Sequence, residues 1–262
     1  MITSTNNPKV KWVHKLQSHS KARRSEEAFV LEGVRLTEEG VKSGWETRLV
    51  FYTKDLDQRG KKVLDRYFEV GVLVQEVSPQ VMSFISDTDT PQGILSVVTI
   101  QSLPISKRIE VAFIPDSVRD PGNLGTMLRT GAAAGVGVIY ITPGTVDPYT
   151  PKVVRAAMGA HFRVPIQLKT WNEIDQIKRA LGLMVYLADI NKGKAFNQVT
   201  FKFPMALVVG GEAKGASTAA RSLVDEYVHI PMFRGVESLN AAVASGILLF
   251  EVFRKRKKLL PE

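Results

Sequence analysis

Three polar, glycine-rich clusters in the second half of this 262-residue chain hold the side chains best suited to chemistry. The first runs from Asp116 to Thr130 and contains Pro121-Gly122-Asn123, then Gly125 and Arg129. Pro-Gly-Asn is turn chemistry, and Asn123 is placed to cap the helix that follows. Gly122 and Gly125 remove side chains, so another backbone or a ligand can approach. Arg129 lies one helical turn beyond Gly125 on the same face. The second cluster, Val209 to Gly215, ends an apolar run with Gly210-Gly211 and then places Glu212, the only acid between Asp189 and Asp225. An isolated acid in a glycine-rich strand-end loop suits a hydrogen-bond acceptor. The spacing of Gly210 and Gly215 is that of a P-loop, but Ala216-Ser217 stand where Lys-Ser/Thr must follow, which argues against a nucleoside triphosphate. The third cluster, Ile230 to Asn240, breaks a strand at Pro231-Met232 and places Ser238 to cap a long helix. Taken singly, Arg129 fits a surface residue, and Ser238 and Asn240 fit caps.

The elements that must position these clusters alternate. Strands are expected near 110–115, 137–142, 163–168, 183–189, 205–210 and 227–230, and helices near 123–135, 151–158, 172–181, 217–224 and 239–256. That alternation implies a mainly parallel sheet covered on both faces. In the last helix, Leu239, Ala242, Val243, Gly246, Ile247 and Phe250 recur at helical spacing and are expected to face the core. Before Gln101–Arg108, a polar stretch with Pro104 that reads as a linker, lies a small α/β unit. Its helices are expected at 8–18, 33–42 and 60–68, with Ser78-Pro79 opening another. Its strands are expected at 29–31, 47–52, 72–77 and 94–100. Two domains follow, residues 1–103 and 108–262.

Composition bounds the class. The chain is 44% hydrophobic and 23% charged, an ordinary globular balance. It has no cysteine, which removes disulfides, cysteine–zinc sites and thiolate catalysis. The four histidines (His14, His19, His161 and His229) show no ligand spacing, so no metal is expected. No apolar run is long enough to span a bilayer, and the first residues lack a signal-peptide core. A cytoplasmic location with no membrane partner is the expectation. The net charge of +9 favours polyanions. Residues 1–25 carry Lys9, Lys11, Lys15, Lys21, Arg23 and Arg24 without a single acid, and Arg254 to Lys258 form a second basic run.

In order, D-P-G-N-L-G-x-x-x-R-T, G-G-E-x-x-G and I-P-M-x-x-x-x-x-S-L-N resemble the three motifs of the SpoU/TrmH family of SPOUT methyltransferases. The resemblance spans roughly residues 109–256. The Asn-Pro-Lys start and Phe-Val-Leu-Glu-Gly make the first unit similar to the substrate-binding domain of many members, which resembles kink-turn-binding ribosomal proteins.

The resemblance implies an α/β methyltransferase domain with a trefoil knot, a homodimer, and S-adenosyl-L-methionine as cofactor. It places cofactor binding at Gly210, Ile230 and Leu239, with Gly211, Met232 and Ser238 lining the same pocket. It assigns catalysis to Arg129, Asn123, Glu212, Ser238 and Asn240. The implied reaction is displacement of a methyl group from a sulfonium by an RNA ribose 2′-oxygen. A guanidinium stays protonated, so Arg129 either relays the proton to a phosphate or water, or stabilises the developing oxyanion. Lys9, Lys11, Lys15, Arg23, Arg24, Arg119, Lys152 and Arg155 are the expected RNA contacts. Ribosomal RNA is favoured as substrate over transfer RNA. A non-catalytic RNA-binding or ribosome-assembly role is a third reading.

Overall fold

The computed structural model describes residues 1–106, 108–212, 215–233 and 236–257. Lys107, Ala213, Lys214, Arg234, Gly235 and Lys258, which fall in the linker, the second and third clusters and the C-terminal basic run, lie outside them. The chain divides into two compact units: Met1–Gln101 with Asp147–Phe162, and Ser102–Val146 with Arg163–Glu262.

The first unit begins with α1 (Pro8–Ser18), where Asn7 accepts the Lys9 N–H and Pro8 occupies the first turn. Val10, Val13 and Leu16 are its buried stripe. A short α2 (Ser20–Glu26), not expected from the sequence, turns the chain into β1 (Ala28–Glu32). Then come α3 (Val34–Ser43), β2 (Thr47–Tyr52), α4 (Gln58–Glu69), β3 (Val74–Glu76), α5 (Pro79–Ile85) and β4 (Ile94–Thr99). The sheet order is β1-β4-β2-β3, antiparallel except for β2 with β3. One face buries Val30, Phe51 and Val97 against α1 and α5, and the other buries Val50 and Ile94 against Val63 and Tyr67 of α4.

The second unit carries a seven-stranded parallel sheet. Its elements in chain order are β5 (Val111–Asp116), α6 (Pro121–Ala133) and β6 (Val138–Ile141). The chain then passes through α7 (Pro151–Ala157), which belongs to the first unit. It continues as β7 (Ile166–Leu168), α8 (Trp171–Leu181), β8 (Met184–Ala188), β9 (Lys194–Ala195), β10 (Met205–Gly210), α9 (Thr218–Ser222), β11 (Glu226–His229) and α10 (Ala241–Lys257). The strand order is β7-β6-β5-β10-β8-β11-β9, and every pairing is parallel. All carboxyl ends therefore share one edge, the edge at which such sheets hold ligands. Among the described residues no helix is long and apolar enough to cross a membrane.

The segment 147–162 falls inside the sequence range expected for the second domain, yet it packs with the first unit. Phe29 lies 5.2 Å from Tyr149 and 5.7 Å from His161, ring centre to ring centre, and Trp45 lies 4.9 Å from Phe162. Aromatic pairs at such distances add to area burial by about 1 kcal/mol each.

Two caps differ from expectation. Asp120, not Asn123, caps α6 by accepting the Asn123 N–H at 2.7 Å, with Pro121 opening the first turn. Asn240, not Ser238, caps α10, its Oδ1 accepting from Ala242 N at 2.9 Å and Val243 N at 3.2 Å. The buried stripe of α10 also differs. Ala242, Ser245, Leu248, Leu249 and Val252 face inward, whereas Val243 and Phe250 are 52% and 48% exposed. With apolar residues all round the helix, periodicity could not say which face the sheet covers.

Candidate active site

The carboxyl ends of β8, β10 and β11 frame an open cavity of ≈ 680 Å³ in the second unit. That is within the ~300–1,000 Å³ of small-molecule sites. Gly210, Gly211, Ile230, Met232, Ser238 and Leu239 all line it, as do Glu212 and Asn240. Gly210 and Gly211 are glycines for a steric reason. A Cβ on Gly210 would collide with the backbone of Gly215 and Ala216, and one on Gly211 would collide with the Ser117 carbonyl. The loop after β10 thus doubles back on its own backbone and lies against the end of β5.

Asp116 fastens that loop at both ends. Its carbonyl accepts from Gly211 N at 2.8 Å, and its Oδ2 accepts from Ser217 N at 2.6 Å. Thr142 Oγ1 donates to its Oδ1 at 3.0 Å, and the side chain is fully buried. Such a carboxylate, saturated by donors, is a fixed post. In the sequence Asp116 is one polar residue among several in the first cluster, and nothing local marks it as this post.

Glu212, Asn123 and Asn240 come from the three separate clusters and meet. Asn123 Nδ2 donates to Glu212 Oε1 at 2.5 Å, and Asn240 Nδ2 donates to Asn123 Oδ1 at 3.0 Å. Asn123 can do this because Asp120, one turn earlier, takes over the cap and frees its amide. Arg129 lies on the same helix but is exposed, is not among the lining residues, and has no side-chain partner among the described residues.

A second charged group borders the cavity and was missed in the sequence. Asp189, one residue beyond β8, is paired with Arg221 of α9, Arg221 Nη1 donating to Asp189 Oδ2 at 3.1 Å. Burial pushes the Asp189 carboxyl up, but the Asn191 N–H and the Arg221 guanidinium outweigh it and hold it below the ordinary value. Its signal in the sequence was the one used for the three clusters, a polar residue ending an apolar run, Met184 to Ala188.

The expected RNA contacts divide by exposure. Lys11, Lys15, Arg24, Arg119 and Lys152 are exposed. Lys9 donates to Gln75 Oε1 at 3.1 Å. Arg23 is a correction: it is 3% exposed, pairs with Asp147 at 2.8 Å and donates to the carbonyls of Leu16 and Gln17. Arg155 is half-buried, pairs with Asp87 at 2.6 Å and stands 3.8 Å from Glu32. Both hold the first unit together, and Arg23 is too buried to offer its guanidinium to a phosphate.

The carboxyl edge of this parallel sheet thus holds a cavity lined by the second and third clusters, and Asn123 joins the first cluster to it. Residues 110–250 match the SpoU rRNA methylase family, and residues 7–96 match the MRM3-like substrate binding domain. The chain belongs to the SpoU rRNA methylase family. It is an RNA 2′-O-methyltransferase that uses S-adenosylmethionine. It is 32% identical to the 23S rRNA (guanosine(2553)-2′-O)-methyltransferase RlmP of Bacillus subtilis, over 96% of this chain and 98% of that protein. An AdoMet-bound rRNA methyltransferase from Sinorhizobium meliloti superposes with a TM-score of 0.85 at 30% identity, covering 99% of this chain and 98% of that one. The SpoU methyltransferase AviRb from Streptomyces viridochromogenes, in complex with AdoMet, gives 0.84 at 26% identity, over 96% and 99%.

Proposed function

We propose that the chain methylates a ribose 2′-hydroxyl in ribosomal RNA, with Arg129, Asn123, Glu212, Ser238 and Asn240 as its catalytic group. The observation that carries this reading is the Asn240–Asn123–Glu212 hydrogen-bonded chain on the cavity. Gly210, Gly211, Ile230, Met232, Ser238 and Leu239 hold the cofactor, and the two glycines let the loop that carries Glu212 fold back beside it. When bound, S-adenosylmethionine supplies a methyl group already activated on a sulfonium. The protein has then to orient the hydroxyl and let one proton go. Asn123 donates to Glu212 and accepts from Asn240, so it holds both in place beside the reacting groups. Arg129, permanently charged, meets the RNA, either steadying the oxyanion as it forms or passing its proton to a phosphate or water.

The name of the Bacillus relative supports ribosomal RNA as the substrate. The exposed Lys11, Lys15, Arg24, Arg119 and Lys152 supply phosphate contacts, which position RNA without reading its sequence. A homodimer is supported by the exposed Val243 and Phe250 on α10, an apolar face that a second copy would cover. A trefoil knot is supported by the packing of α10, the last helix, against α6 and β10.

The test is incubation with labelled S-adenosylmethionine and separated ribosomal and transfer RNA from cells lacking the gene. Label in ribosomal RNA, cut at least ~100-fold by Arg129→Ala while cofactor binding persists, is the expected result. Label in transfer RNA alone would move the substrate, and an Arg129→Ala enzyme at full rate would remove Arg129 from the chemistry.

A further inference from the structure

Asp189 has more acceptor capacity than the protein uses. An ionised carboxylate offers about four lone-pair sites. Among the described residues, Oδ1 accepts from Asn191 N at 3.1 Å and Lys192 N at 3.3 Å, and Oδ2 accepts only from Arg221 Nη1 at 3.1 Å. One site on Oδ2 is left, on a residue that lines the cavity. Arg221 is committed elsewhere too, its Nε donating to Ala216 O at 3.3 Å in the loop that bears Glu212. The pair is therefore anchored from both sides, and its geometry does not depend on a ligand.

The charge balance says what this site suits. A carboxylate neutralised by a guanidinium has little net attraction for a cation, yet it accepts a hydrogen bond from a neutral hydroxyl as well as before. Of the donors on S-adenosylmethionine, the methionyl ammonium is charged, and the ribose hydroxyls and the adenine amino group are neutral. A carboxylate at the end of a parallel strand holding a ribose hydroxyl is also the arrangement other α/β nucleotide sites use.

We propose that Asp189 accepts a hydrogen bond from a ribose hydroxyl of the cofactor, and that Arg221 is a positioning residue that fixes the carboxylate and cancels its charge. This rests on the cavity being the cofactor site.

The test measures binding by calorimetry, with S-adenosylhomocysteine, 5′-methylthioadenosine, which lacks the amino-acid end, and the 2′-deoxy and 3′-deoxy forms of S-adenosylhomocysteine. In the wild-type protein, removal of one of the two hydroxyls should weaken binding about 10- to 100-fold. Asp189→Asn should weaken S-adenosylhomocysteine and 5′-methylthioadenosine by the same factor, and should add nothing to the loss from the sensitive deoxy analogue. Wild-type affinity indifferent to both hydroxyls overturns the proposal without any variant, so a misfolded Asp189→Asn protein would not shelter it. A loss confined to ligands that carry the amino-acid end would assign Asp189 to the ammonium and overturn it as well. Wild-type protein that binds neither parent ligand would instead remove the cofactor reading of the cavity.

Discussion

Asn123 and Glu212 stand 89 positions apart in the chain and are joined by a single hydrogen bond of 2.5 Å. Asn123 is locked by α6 and Glu212 by the loop after β10, which Asp116 fastens at Gly211 and Ser217. The two side chains therefore act as one unit, with Asn240 as its third member. Single-turnover methyl transfer by Asn123→Ala, Glu212→Ala and the double variant should be markedly non-additive, with a coupling of roughly 1–3 kcal/mol. Strictly additive losses would show that the hydrogen bond matters to neither residue's role.

Arg23 and the N-terminal lysines should separate cleanly, although all were legible as one basic stretch. Arg23→Met leaves Asp147 partly buried without its counter-ion and should cost about 3 kcal/mol of stability. Lys11→Gln and Lys15→Gln should leave the melting temperature alone, and each should lower the salt dependence of RNA binding by about one unit of slope. Thermal melts and salt titrations distinguish the two classes. An Arg23→Met protein of normal stability would show that the pair contributes no more than a surface ion pair.

His161 should make the first unit sensitive to mild acid. It is 3% exposed, and its Nε2 lies 2.8 Å from the Pro148 carbonyl. Burial pulls its pKa from 6.5 down to about 4, against weaker raising effects from Pro148 and Asp147. The unfolded chain thus binds a proton that the folded one refuses. The contribution is complete above pH ~6.5 and is lost as pH falls toward about 4. It is on the order of 3 kcal/mol at most. Denaturant melts from pH 7 to pH 4 should steepen in wild type relative to His161→Gln. Parallel curves would rule out a buried neutral histidine.

Phe250→Glu should abolish the proposed homodimer, since it sets a charge into the apolar face of α10. Sedimentation velocity reads this directly. A variant that sediments like the wild type at micromolar concentration would mean that the face is not the dimer contact.

Much of this architecture was legible because local chemistry and tertiary structure agree. Asn7-Pro8 and Ser78-Pro79 open helices where their types demand, and each apolar run between glycine clusters became a parallel strand. The departures share one cause, which is that partners lie far away in sequence. Asp120 and Asn123 are both competent caps, and only Glu212 and Asn240 decide which is released to other work. Arg23 reads as a surface cation until Asp147 arrives from 124 positions downstream. Asp189 reads as a loop acid until Arg221 closes on it. On α10, apolar residues occur all round the helix, so spacing alone could not distinguish the face on the sheet from the face with Val243 and Phe250. The cavity was legible as a set of lining residues, because motif order carries them, but not as a shape.

The first unit has an order of assembly written into the chain. Phe29 and Trp45 leave the ribosome early, but Tyr149, His161 and Phe162, the rings that cover them, emerge only after β5, α6 and β6 have been made. A nascent chain that has finished β4 holds a four-stranded sheet with an uncovered aromatic surface and an unpaired Arg23. Vectorial folding, in which domains close one after another from the N-terminus, must wait here for a segment more than a hundred residues late. A gene fragment that stops at the linker would carry every strand of that sheet and still lack part of its core.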